Sequence, residues 1–104
     1  MVRTHYCIGR AGKNEFLAFK PNYQAKELEA FMDIATNLSV VNEKGDYLKF
    51  TKKADAKAFL TLIEGMKERL GHYPLVMKDK YSGVYVNSKI WKVVEVKTTF
   101  KYVD

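Results

Sequence analysis

Two stretches of this chain change periodicity in the same way, and that change limits the folds open to it. Residues 15–26 read EFLAFKPNYQAK and residues 46–57 read DYLKFTKKADAK. In each, aromatic and aliphatic residues alternate, a break follows, and apolar residues then recur at spacings of three and four. Alternation puts side chains on opposite faces of a strand, whereas three-four spacing gathers them on one face of a helix. A chain that makes this switch twice needs a sheet face broad enough to bury two amphipathic stripes.

Aligning residues 15–34 with 46–65 gives four identities: Leu17/Leu48, Phe19/Phe50, Ala25/Ala56 and Lys26/Lys57. Six further pairs are conservative, among them Phe16/Tyr47, Leu28/Phe59 and Met32/Ile63. An internal ββα duplication would leave this match. Two strand–helix units built to the same packing requirements would converge on it as well. The copies differ in the part that faces water: the basic pair Lys52-Lys53 stands where the first copy has Pro21 and Asn22.

The flanking segments extend the pattern. Val2 to Ile8 alternates as a strand, and GRAGKN supplies a reversal into EFLAFK, predicting a hairpin. Pro21 cannot donate to a ladder and ends that strand. Asn22 is a suitable cap for a helix from Tyr23 to about Asn37, with Ala25, Leu28, Phe31, Met32 and Ala35 on its stripe. LSVVNE and DYLKFT predict a second hairpin that turns near Lys44-Gly45, with Gly45 at positive φ. A second helix is expected over about 54–70, capped by Thr51 and ended by Gly71. Its stripe is Ala56, Phe59, Leu62, Ile63, Met66 and Leu70. Gly65, inside it, costs about 1 kcal/mol relative to alanine.

Beyond Gly71 the helical period disappears. YPLVMK and VYV read as short strands around the turn DKYSG, and KIWKVVEVKTTFKYV is a β-branched and aromatic run long enough to predict a bulge or break. One face of that run carries Trp91, Val93, Glu95, Lys97, Thr99 and Lys101. The expected fold is α+β, a single domain over 1–104: an antiparallel sheet with two amphipathic helices on one face. The expected order is ββαββα followed by two or three C-terminal strands.

Function is harder to read. The 104 residues carry a net charge of +6, and the excess leans C-terminal: 8 basic and 6 acidic side chains in 1–52, 10 and 6 in 53–104. That balance favours anionic partners and argues against mimicry of DNA. Aromatic residues make up 13% of the chain, too many for a disordered segment. A lone cysteine, Cys7, makes no internal disulfide, and MVRTHYCIGR has no apolar signal core; both favour a soluble, cytoplasmic setting. No apolar run is long enough to span a membrane as a helix.

Catalytic motifs are not visible. There is no phosphate-binding glycine loop, no metal-ligand spacing and no nucleophile elbow. His5 and Cys7 share a strand face and are the nearest thing to a thiol–imidazole or metal pair, with His72 the only other histidine. Glu95 lies mid-strand beside Lys97, an arrangement that suits a surface ion pair. The chain is therefore expected to bind rather than catalyse, with no cofactor and no metal.

The more suggestive set is basic and aromatic: Lys52, Lys53, Lys78, Lys80, Tyr81, Tyr85, Lys89, Trp91, Lys97 and Lys101. Lysines supply a phosphate-directed field, and exposed aromatic rings stack on bases. The first expectation is a nucleic-acid-binding module that uses the C-terminal strands. The alternative is an inhibitor or adaptor that docks on an anionic surface of a nucleic-acid-handling enzyme. In composition alone the chain resembles the small accessory proteins carried by phages and mobile elements. The long last strand, if it lies at a sheet edge, could also pair with a second copy to form a homodimer.

Overall fold

A computed structural model describes residues 2–10, 12–20 and 37–99. Over these, six strands and one helix follow in the order β1 (Val2–Arg10), β2 (Phe16–Phe19), β3 (Leu38–Val41), α1 (Lys53–Leu70), β4 (Leu75–Met77), β5 (Gly83–Tyr85) and β6 (Trp91–Thr99). The class is α+β. The main sheet is antiparallel, ordered β3-β2-β1-β6, and β4 and β5 form a separate two-stranded hairpin. The helix expected over 23–37 lies outside the described residues but for its last residue.

β1 and β2 are joined through Gly12, which adopts φ 74°, as the glycine-rich reversal requires. They pair only at their turn end, at Gly9–Phe16, and then diverge. The gap is filled by residues 46–50, and here the expected order fails. DYLKFT does not fold back on LSVV; β3 pairs with β2 instead. Phe50 exchanges two backbone bonds with Tyr6, both 2.8 Å, and the Leu48 N–H donates to the Leu17 carbonyl at 3.0 Å. A wedge that bonds to β1 on one side and β2 on the other cannot also be a hairpin partner of β3. Gly45 takes no positive φ; the Asn42 side chain, accepting from the Lys44 N–H at 2.9 Å, shapes this turn.

The wedge also sorts the aromatic residues. Leu48 and Phe50 join the helix side, where Phe50 and Phe19 contact Phe59. Tyr47 falls on the opposite face, against His5 and Phe16.

α1 starts one residue before the expected boundary. Lys52, not Thr51, occupies the N-cap, and no side chain caps the helix there. Gly71 closes it at φ 81°, its N–H donating to the Lys67 carbonyl. Ala56, Phe59, Leu60, Ile63 and Met66 are buried. The last four pack with Ile8, Leu17, Leu38, Val76, Val86 and Trp91 into one core. Each large side chain so buried contributes about 1.5–3 kcal/mol of apolar transfer.

β1 departs from simple alternation: Cys7 and Ile8 are both fully buried although they face opposite ways. A strand flanked on both sides and covered on both faces has no wet side. Trp91 is the larger correction. The sequence pattern counts it among the exposed aromatic rings, but it is fully buried, and its indole Nε1–H donates to the Tyr85 carbonyl at 3.2 Å. The face it shares with Val93, Glu95 and Lys97 is covered by α1 at the Trp91 end and exposed from Glu95 onward. β6 runs unbroken to Thr99, and the Asn87 turn marks its start.

Candidate interaction surface

The β4–β5 hairpin has an inner and an outer face. Val76 is buried and Val84 packs on the core from the inner face. Register places Leu75 opposite Tyr85 and Met77 opposite Gly83 on the outer face. These outer residues are exposed: Leu75 44%, Met77 49%, Tyr85 51%, and at the tip Tyr81 87%. Among the described residues only Val2 joins them as an exposed large hydrophobic side chain. Gly83 forms the floor of this face. A Cβ there would stand 2.9 Å from Met77 Sδ and 3.0 Å from Leu75 Cδ1, so its absence lets both side chains lie across the strand.

The tip is held from within. Asp79 Oδ1 accepts from the Tyr81 N–H at 2.8 Å and the Ser82 N–H at 2.9 Å, and its Oδ2 accepts from the Ser82 hydroxyl at 2.8 Å. These bonds to Tyr81 and Ser82 hold its carboxyl below the usual carboxylate range. Tyr81 therefore projects from a turn already ordered. At the base, Val86 donates to the Pro74 carbonyl at 2.9 Å and Trp91 to that of Tyr85. His72 packs edge-on against Tyr85, its Nδ1 2.8 Å from the Tyr73 carbonyl.

Of the basic and aromatic set read from sequence, Lys78, Lys80, Tyr81 and Tyr85 come together on this hairpin. Lys80 lies over the Tyr81 ring, 5.7 Å from its centroid. Lys78 is exposed but engaged, its Nζ 3.2 Å from Glu15, a carboxylate that also pairs with Arg10. Lys89 is exposed in the turn before β6. Lys52 and Lys53 stand at the start of α1, and Lys97 on the outer half of β6 pairs with Glu95 at 3.8 Å. Trp91 leaves the set because it is core. Lys101 lies outside the described residues. Leu75, Met77 and Gly83 stand outside that basic and aromatic set. Their signal was apolar residues on both faces of LVM, more than a one-sided strand needs.

His5 and Cys7 do share a face, yet they make no thiol–imidazole pair. His5 Nε2 lies 2.8 Å from the Tyr47 hydroxyl. Burial raises the Cys7 thiol pKa, which keeps it protonated and weakens it as nucleophile or ligand. The Tyr47 hydroxyl is raised too, first by burial and then by the neighbouring Cys7. Among the described residues no three His, Cys, Asp or Glu side chains gather as metal ligands. No helix among them is long and apolar enough to cross a membrane.

No family model, curated protein or solved structure matches this chain.

Proposed function

We propose that this chain is a small, basic, non-catalytic binding module that docks on an acidic protein surface through the outer face of its β4–β5 hairpin. One observation carries the reading: among the described residues, four of the five exposed large hydrophobic side chains lie on this one hairpin. Leu, Met and Tyr packed on a preordered turn resemble the centre of a protein interface more than a phosphate track. Lys78 and Lys80 give the hairpin a basic rim, and the net charge of +6 favours approach to an acidic groove. An inhibitor or adaptor of a nucleic-acid-handling enzyme fits this chemistry where it docks on an acidic patch away from the basic track that holds the nucleic acid. The buried, unpaired thiol of Cys7 suits a cytoplasmic setting.

A second reading has its own support. Tyr81, almost fully exposed beside Lys80, could stack on a base of single-stranded nucleic acid. Leu75 and Met77 have no role in that mode, so it ranks second.

The test is paired capture from nuclease-treated lysate with the wild-type chain and a Met77→Ser/Tyr81→Ala double variant. The reading expects a stoichiometric protein that the wild type retains and the variant loses. Direct titration with single-stranded DNA and RNA oligonucleotides completes it. Tight, salt-sensitive oligonucleotide binding that Tyr81→Ala abolishes, with no protein retained, would move the function to the second reading.

A further inference from the structure

Among the described residues β6 forms one edge of the main sheet, and no backbone group pairs with its outer side. The ladder to β1 shows which groups face that edge. Tyr6 directs its N–H and carbonyl to Phe50, and Arg10 its N–H to Glu15, both away from β6. The odd-numbered residues of β1 therefore bond to β6, and their partners are Thr98, Val96, Val94 and Lys92. It follows that Val93, Glu95, Lys97 and Thr99 turn their backbone groups outward. The opposite edge, β3, is four residues long, whereas β6 is nine.

We propose that β6 pairs antiparallel with β6 of a second copy, about a two-fold axis at Val96. Charge and backbone parity choose this register together. Outward-facing residues must oppose each other for the ladder to form, so the axis must pass through a residue and not between two. With the axis at Val96, Glu95 opposes Lys97 of the second copy and Lys97 opposes its Glu95. Moving the axis to Glu95 sets glutamate against glutamate; moving it to Lys97 sets lysine against lysine. The register at Val96 alone converts the exposed intrachain pair, now at 3.8 Å, into two interchain pairs.

Charges on an edge strand ordinarily guard against pairing. A lysine alone, or two like charges, would do that here. Opposite charges two residues apart block the neighbouring registers and leave the symmetric one open. On the other face Val96 meets Val96 at the axis and Val94 meets Thr98, β-branched pairs that suit a ladder. The result is one continuous sheet through both copies, closed by symmetry and hence limited to a dimer.

Sedimentation of the wild type over a concentration series should show a reversible monomer–dimer equilibrium. Glu95→Lys places like charges at both interchain positions and should weaken the dimer roughly tenfold or more. Lys97→Glu should do the same, and the exchanged double variant Glu95→Lys/Lys97→Glu should restore it. Val96→Cys sits at a non-hydrogen-bonded pair on the axis and should form a disulfide-linked dimer on mild oxidation, whereas Thr98→Cys should not. Circular dichroism of each variant establishes that the fold is retained. A chain that stays monomeric at high micromolar concentration overturns the proposal. So does a dimer unmoved by either single charge reversal, since it would use another surface.

Discussion

Asp79 holds the tip of the hairpin and Trp91 holds its base. Asp79 fixes the tip through three bonds to Tyr81 and Ser82. Its folded-state pKa is lowered, so the turn's contribution is fully present above the ordinary carboxylate value of about 3.9 and is lost as pH falls through the lower folded value. The Tyr81 and Ser82 amide resonances should hold steady from neutral pH to below that ordinary value and only then move. Amides that titrate at the ordinary value would mean that the turn is open in solution. Trp91 acts at the base. Trp91→Phe leaves the Tyr85 carbonyl without its donor and opens a small cavity, a combined cost of about 2 kcal/mol. Urea unfolding followed by circular dichroism measures it, and a loss well under 1 kcal/mol would show that the indole does not hold the hairpin.

α1 carries two placements that cost stability. Gly65 is exposed, with no atom within 4 Å of a built Cβ, so Gly65→Ala should stabilise the chain by about 0.5–1 kcal/mol with no steric penalty. Lys52 stands uncapped at the positive end of the helix dipole. Lys52→Ser should add about 1 kcal/mol by supplying a cap, and thermal unfolding of both variants checks the pair. If Lys52 belongs to the basic rim, the serine variant should be more stable yet associate more slowly. These elements also show where sequence was informative. The α1 stripe, its Gly71 stop and the LVM and VYV strands were legible because their patterns are local. The wedge of 46–50 was not. Tyr47, Leu48 and Phe50 alternate as any strand does, and only the divergence of β1 from β2 decides what they pair with. The burial of Trp91 escapes the sequence for a related reason: period two separates two faces but does not say which is covered, or where along a strand the cover ends. The hairpin's basic and aromatic half was visible in sequence. Its apolar half shows only as apolar residues on both faces of LVM, which do not say whether the second face meets the core or water.

At the scale of the whole molecule the two surfaces use different strands. The outer hairpin face belongs to β4 and β5, and the open edge belongs to β6. Variants of one should leave the other unchanged: Tyr81→Ala should retain dimerisation, and Glu95→Lys should retain the intrinsic affinity of each hairpin for its partner. The coupling between them appears only when both are used together. A dimer joined at β6 carries two hairpins, and once one is bound the other searches a restricted volume around its target, at an effective concentration far above that in bulk. On a sensor surface bearing the partner sparsely, wild type and Glu95→Lys should dissociate at the same rate. On a dense surface the wild type should leave at least about tenfold more slowly, while the monomeric variant keeps its single-site rate. Equal rates on the dense surface, with dimerisation independently established, would mean that the two-fold axis at Val96 points the hairpins where they cannot both reach a shared target. Each dimer would then present a single usable site.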